Sequence, residues 1–428
     1  MNILTDGKGT QSPNAAGRPG ADGAPNRSKL RVFVMDLWCI IPYYTAHLCT
    51  SLKEQNVEVV LGSISYHFDP ACFEKVGLKN DPGVLDIVGK FRIRQPMLRR
   101  GLKFVESCIN MAVLPLRFAL DKPDIIHVQY IPLVEEGLPM ELWLLRAARL
   151  MGIKLVYTVH NELPMDTGVR HANTFRRVYQ LMDALICHTA AAKDAVVSKY
   201  GVDLNRISVI PHGPLFNDAA RPSMDKARAV AGVAADETVV LWQGWIKPYK
   251  GIDFLLDGWK LVAARAPKAK LVIAGSGDAA LMQDIRAKVA ALGIEDSVRL
   301  DLRFVPPEEL PSFYTAADIV VYPYREITTS GALMTALSYG KAIVATRLPY
   351  FEESVGSAGA ALIVDYGDEQ ALASALLQFI EDPHYRDQIG ARAARLAQTS
   401  STEWLEIARE TRRCYEQVCG LTQTAVAE

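Results

Sequence analysis

Two lysines follow a glycine at the end of an apolar run in "LWQGWIKPYKGID" (241–253): Lys247 and Lys250, with Gly244 before them. Amines on a loop at a strand's carboxyl end suit a diphosphate, and they equally suit a solvated strand-to-helix connection. "LVIAGSGD" (271–278) repeats the strand and glycine turn at Gly275. "YPYREITTSGALMTALSYGKAIVAT" (322–346) then brings Thr328, Thr329, Ser330 and Gly331 to the start of an apolar helix, with Ala332 and Leu333 in its first turn. Hydroxyl residues there cap the helix by accepting from its orphan N–H groups. The same N-terminus attracts a phosphate. The stretch alone leaves both readings open. In the first half, His160 leaves a strand in "LVYTVHN". An imidazole there suits orienting a bound hydroxyl or shuttling a proton, with Asn161 placed to fix the ring. His188 in "ICHT" and His212 in "IPHG" hold similar positions, and His127 in "IIHVQY" reads as structural.

These residues need strands to present them. Apolar runs at 31–36, 57–62, 124–128, 153–158, 184–187 and 207–210 alternate with helical segments. A passage rich in breakers, "PHGPLFNDAARPSMD", interrupts them. The alternation restarts at 238–242, 270–274, 297–300, 318–322, 342–345 and 361–364. Continuous Val/Ile/Leu runs separated by helices predict parallel sheets buried on both faces. Two such series predict an α/β protein of two Rossmann-like, doubly wound domains facing a cleft, with ligands beyond the strands' carboxyl ends. The three loops at Gly244, Gly275 and Ser330 then converge on one edge of the second domain.

Composition agrees with this architecture. The 428 residues are 50% apolar and 22% charged, enough for two domains with cores of their own. A formal charge of −1 argues against bulk nucleic-acid binding. Seven cysteines include no C-x-x-C pair, which reads as free thiols in a reducing, cytoplasmic setting. Residues 1–28, rich in Gly, Pro, Asn and Ala, read as a disordered leader rather than a signal peptide. No apolar run is long enough to span a bilayer.

Taken in order, "G-x5-K-G-I-D" (Gly244, Lys250, Gly251, Asp253), "KLVIAGSGD", "FVPPEELPSFYTAADIVVYPY", "G-K-A-I-V-A-T" and "P-Y-F-E-E-S-V" resemble the donor-binding domain of the family 4 glycosyltransferases, which have the GT-B fold. "KPDIIHVQY", "KLVYTVHN", "DALICHTAAAKDAV" and "RISVIPHG" look like the acceptor-side domain of that family. The resemblance covers roughly residues 30 to 418. It implies transfer of a sugar from a nucleotide-sugar donor, which is a substrate, with no cofactor. Carried over by position, Lys250 neutralises the diphosphate, Gly244 lets the backbone approach the donor, and the Ser330–Leu333 amides cradle phosphate. Glu326 matches a family glutamate beside the phosphate helix, and Glu353 a later one in donor contact. The implied domains are 29–217 for the acceptor, a linker at 218–236, 237–398 for the donor, and a 399–420 helix crossing back to the first domain. In that helix Trp404 packs.

Two departures stand out. Trp245 occupies a position where the family usually has Arg, so Lys247 is the substitute cation. Thr335 stands where a second glutamate typically grips the donor's ribose. No D-x-D occurs in the chain, which fits a metal-independent enzyme relying on lysine and a helix dipole. The stretch 89–120 carries Lys90, Arg92, Arg94, Arg99, Arg100 and Lys103 among apolar residues. It reads as a membrane-surface binder or as a solvated helix face. The first reading implies a lipid-linked acceptor or a growing cell-surface polysaccharide, at the inner face of the plasma membrane. Two alternatives remain at this point: a catalytically degenerate paralogue acting as a binding or partner subunit, and a nucleotide-sugar epimerase.

Overall fold

The computed structural model describes residues 29–421, apart from 82–84, 92, 94, 136, 164, 166–167, 217–219 and 399–402. The expected leader and the basic residues Arg92 and Arg94 lie outside the described residues. Strands β1 (Arg31–Met35), β2 (Glu58–Gly62), β3 (Ile125–Val128), β4 (Lys154–Val159), β5 (Ala184–Cys187) and β6 (Ile207–Val209) form one parallel sheet, ordered β2-β1-β3-β4-β5-β6. Strands β7 (Thr238–Gln243), β8 (Ala269–Ala274), β9 (Val298–Asp301), β10 (Ile319–Tyr322), β11 (Ala342–Thr346) and β12 (Leu362–Val364) form a second, ordered β12-β11-β10-β7-β8-β9. All twelve lie within one residue of the ranges read from the sequence. The order reverses at β1/β3 and at β7/β10, which opens a crevice at each sheet's carboxyl edge.

Each sheet is buried on both sides, and the side-chain alternation of a strand shows how. Phe33 and Met35 of β1 join one core with Ile126, Leu142 and Tyr179, while Val32 and Val34 join another with Leu48, Ile186 and Tyr415. In β7, Val239 and Leu241 face one core, and Val240 and Trp242 the other. A strand apolar on both faces reads as an unbroken run, which is why no polar alternation marks these segments.

Two segments join the halves. The stretch expected as a linker contains the helix Met224–Ala231, whose Ala227 and Ala231 are buried in the second domain's core. Their i, i+4 spacing is a helical face that the surrounding Pro and Asp residues obscure. The helix Trp404–Val418 buries Ile407, Ala408, Thr411, Cys414 and Tyr415, an i, i+3, i+4 stripe, against the first domain. It is pinned by polar contacts as well. Trp404 Nε1 donates to the Pro214 carbonyl (2.7 Å) and Arg412 donates to the Gln55 carbonyl (2.8 Å).

Candidate active site

The second sheet brings its three glycine and hydroxyl loops side by side, because β10, β7 and β8 are neighbours. Two glycines make this possible. A Cβ on Gly275 would sit 1.9 Å from the Gly244 carbonyl oxygen, and one on Gly251, whose φ is +64°, would sit 1.8 Å from that of Pro323. Neither loop admits a side chain at these points.

The hydroxyls at the mouth of the helix Gly331–Ser338 divide their work. Ser330 is the N-cap, and its Oγ accepts from the Leu333 amide at 3.3 Å. The cap therefore takes one of the four amides expected to cradle phosphate, and those of Gly331 and Ala332 remain in the first turn. Tyr322 donates to the Ala332 carbonyl (2.7 Å) and Tyr350 to the Ser330 carbonyl (3.3 Å), so two buried tyrosines lock the turn in place. The hydroxyls of Thr329 and Tyr324 are buried and make no hydrogen bond of ordinary geometry. Thr335, at the position of the second family glutamate, is buried and turns its hydroxyl back onto the Gly331 carbonyl (3.1 Å).

Lys250 is buried beside this turn. Its Nζ lies 4.1 Å from the centroid of the Tyr324 ring and 5.5 Å from that of Tyr249, and no carboxylate pairs with it among the described residues. Burial pulls its pKa down to about 7. A desolvated amine over two ring π-clouds, without a counterion among the described residues, is a site short of one anion. Lys247 goes elsewhere. It lines a cleft of about 270 Å³ with Arg325, Asp253, Asp284 and Lys288, and Lys250 is not part of that lining.

The two expected glutamates are also separated. Glu326 is exposed on the loop before Ser330. Glu353 reaches the first domain instead, where the Ala190 and Ala191 amides donate to its two oxygens at 2.8 and 3.0 Å. These are the first amides of the helix Ala190–Tyr200, so Glu353 caps a helix across the cleft.

Trp245 takes part in a second bridge, which sequence reading missed. Phe68, in the loop after β2, stacks on Phe304 (4.7 Å, 11°) and meets Trp245 edge-on at 5.6 Å. Lys75 of the same loop pairs with Glu308 (2.8 Å). The indole, at a position where the family usually has arginine, thus makes an apolar interdomain contact. Nothing local marks Phe68 as the partner, since it is 177 positions away in the chain.

In the first domain His160, His188 and His212 gather around Tyr44, with ring centroids 4.7, 5.6 and 4.9 Å from it. All three are buried. His188 Nδ1 donates to the Ile210 carbonyl (2.9 Å), so its Nε2 accepts from His160 Nδ1 (3.3 Å). His160 Nε2 lies 3.0 Å from Gln129 Oε1, and the Gln129 nitrogen lies 3.1 Å from His127 Nε2. For His160 Nε2 to accept, the Gln129 amide turns over, with its nitrogen on His160 and its oxygen on His127. Burial, with the neighbouring imidazoles, holds His160 well below its ordinary pKa, and burial holds His188 at about 4 and His212 at about 3. Both nitrogens of His160 are thus engaged within the protein. Asn161 does not fix that ring; it donates to Tyr130 Oη (3.0 Å). His127 lies between Tyr415 Oη (2.6 Å) and Thr158 Oγ1 (2.7 Å), tying the C-terminal helix to the sheet.

Comparison with known proteins agrees with this geometry. The model described as Glycosyltransferase Family 4 matches residues 41–213, and that described as Glycosyl transferases group 1 matches 237–382. The D-inositol 3-phosphate glycosyltransferase of Paenarthrobacter aurescens is 28% identical over 312 residues, 70% of this chain and 74% of that one. That of Corynebacterium efficiens is also 28% identical, over 69% of this chain and 71% of its own length. Among solved structures, Anabaena HepE in complex with UDP-glucose superposes with a TM-score of 0.72 at 17% identity, covering 91% of this chain and all of HepE. A glycosyltransferase from Rickettsia africae gives 0.71 at 14% identity, over 92% of this chain and all of its own. Both domains, their order and the cleft between them match, and the chain belongs to the family 4 glycosyltransferases, nucleotide-sugar-dependent enzymes of the GT-B fold.

Proposed function

We propose that this enzyme transfers a sugar from a nucleotide-sugar donor held by the second domain to a saccharide or lipid-linked acceptor held by the first. The observation that carries the reading is Lys250, buried against the Tyr324 ring with no carboxylate partner among the described residues, in the domain whose helix Gly331–Ser338 opens with the amides of Gly331 and Ala332. A departing nucleoside diphosphate gains negative charge as the glycosidic bond breaks. A preorganised ammonium and a helix N-terminus stabilise that charge at little reorganisation cost. This arrangement supports leaving-group neutralisation without a metal. Gly244 and Gly275 keep the backbone close to the donor. Glu326 stands at the rim of the site, and His160 with its histidine neighbours shapes the acceptor side. The interdomain contacts of Glu353 and Phe68 close the cleft and limit hydrolysis of the donor.

HepE was crystallised with UDP-glucose, which makes UDP-sugars the first donors to try. The relatives' name makes D-inositol 3-phosphate the first soluble acceptor. For the cellular role we propose assembly of a cell-surface polysaccharide on the cytoplasmic side, with the chain resting on the membrane through 89–120. No helix among the described residues is long and apolar enough to cross a membrane.

The test is a panel of UDP-, GDP-, ADP- and dTDP-sugars, with and without EDTA, read as binding and as nucleotide release. Selective binding with EDTA-resistant release, lost in Lys250→Ala, is the expected result. Binding without release, even with acceptor extract, would make the chain a partner subunit. No binding by any donor would sink the reading.

A further inference from the structure

The helix Pro96–Leu120 buries Met111, Leu114 and Phe118 in the first domain's core and still shows a second apolar stripe to solvent. Its polar residues Glu106, Ser107 and Asn110 are buried, while Met97, Phe104, Val105, Ile109, Leu116 and Leu120 face solvent. Met97 and Leu120, near its two ends, are 84% and 89% exposed, so the stripe runs the helix's full length. Spacings of three and four residues put these side chains on one face, with Leu98, Gly101, Ala112 and Ala119 among them. The buried polar groups explain the orientation. Glu106 accepts from the Ile87 and Val88 amides (2.9 and 3.1 Å), and Asn110 exchanges hydrogen bonds with the Leu85 backbone (2.8 Å each). The helix must keep that side inward, and its outer apolar stripe has no cover among the described residues.

The helix Met140–Leu150 packs beside it in the same core and extends the surface with Trp143 (59% exposed) and Leu150 (91%). Its exposed polar residues are Arg146 and Arg149. The two helices contain only two acids, Glu106 and Glu141, and both are buried. Their outer surface is therefore apolar and arginine-bearing, with no exposed carboxylate. A protein partner would be expected to meet mixed charge at the rim; an anionic bilayer demands this one-sided pattern.

The surface also has a direction. Asp121, at the C-terminal end of the longer helix, pairs with Arg31 at the start of β1. Near its other end, Lys103 donates to the carbonyl of Trp38 (2.9 Å), three residues beyond β1. The helix thus runs antiparallel to the strands and brings Arg99, Arg100 and Lys103 to the carboxyl edge, where the cleft lies. Arg99 and Lys103 are near enough to His67, in the loop that bears Phe68, to add to the burial that holds its imidazole at about 4.

We infer that these two helices form one docking face for an anionic lipid surface, oriented so that its arginine end meets the cleft and a lipid-borne acceptor enters beside Arg99 and Arg100. This deepens the proposed membrane contact and rests on it; the acceptor clause rests also on the transferase reading.

Flotation of the full chain on vesicles of phosphatidylcholine, with and without phosphatidylglycerol, tests the face without requiring catalysis. Binding is expected on the anionic vesicles only. Arg99→Gln with Arg100→Gln should weaken it roughly 25-fold, since each basic residue near an anionic surface is worth about fivefold. Ile109→Asn with Leu116→Asn, both at exposed positions, should abolish it while the helix content is retained. Nucleotide release from donor in the absence of acceptor is the control, and it should be unchanged in both variants. Absence of release in every protein would count against the transferase reading and leave the docking result standing. The docking face is overturned if the wild type does not float on anionic vesicles, or if neither double variant reduces flotation. It is also overturned if sedimentation shows a wild-type dimer that the apolar variant dissociates, which would make the face a subunit interface.

Discussion

Because burial lowers Lys250 from 10.5 to about 7, the free enzyme carries the ammonium on roughly half its molecules at pH 7 and on about one in a hundred at pH 9. A bound diphosphate restores the charge, so binding takes up a proton throughout that window. If only the charged form binds, affinity for a nucleoside diphosphate should fall about fiftyfold between pH 7 and pH 9, or roughly 2 kcal/mol. The phosphates themselves are already ionised over this range. The sign for folding is opposite. A lysine with a folded pKa below its unfolded one makes the unfolded chain bind more protons, so the ligand-free protein gains stability as pH rises from 7 toward 10.5. Isothermal titration calorimetry of the preferred nucleoside diphosphate, in buffers of different ionisation enthalpy, measures both affinity and proton uptake. Lys250→Met should bind weakly at every pH, with no slope and no proton uptake. A wild-type affinity that is flat from pH 7 to 9, or a Lys250→Met variant that keeps the slope, would refute the assignment of Lys250 as the diphosphate's counterion.

The buried imidazoles of His127, His160, His188 and His212 all have pKa values held below the ordinary 6.5, chiefly by burial. The unfolded chain therefore binds more protons below pH 6.5, and stability should fall steeply as pH drops from 6.5 toward 4, with a thermal midpoint that declines over that interval in scanning calorimetry. A midpoint unchanged between pH 6.5 and 5 would contradict the burial of neutral histidines. Trp245 and Phe68 should be coupled by about 0.5–1.5 kcal/mol in a double-mutant cycle of Trp245→Ala and Phe68→Ala, read on donor kcat/KM, with Trp245→Phe retaining most of the wild-type value. Additive effects would mean that the contact does not hold the closed cleft.

The sequence by itself determined both sheets and the place of the site. Strands apolar on both faces, separated by helical segments, have one stable solution, parallel sheets with helices on each side, and that solution fixes the carboxyl edge as the site. Gly275 was legible for the same reason, because the closeness of two neighbouring loops is a local demand. The tertiary structure decided what each polar group does once there. Lys247 and Lys250 are three residues apart, yet one lines the cleft beside Arg325 and the other is buried against Tyr324; the short turn Pro248–Lys250 sends them apart. Glu353 and Trp245 found their partners, the amide of Ala190 and the ring of Phe68, more than a hundred residues away in the chain. His160 lost its free nitrogens to Gln129 and His188, which only the pairing of β3, β4 and β5 brings beside it. The helix Pro96–Leu120 shows the limit most plainly. Its composition announced an amphipathic segment, but which side faces solvent depended on the backbone amides of 85–88 that Glu106 and Asn110 satisfy and on the core that Met111, Leu114 and Phe118 join.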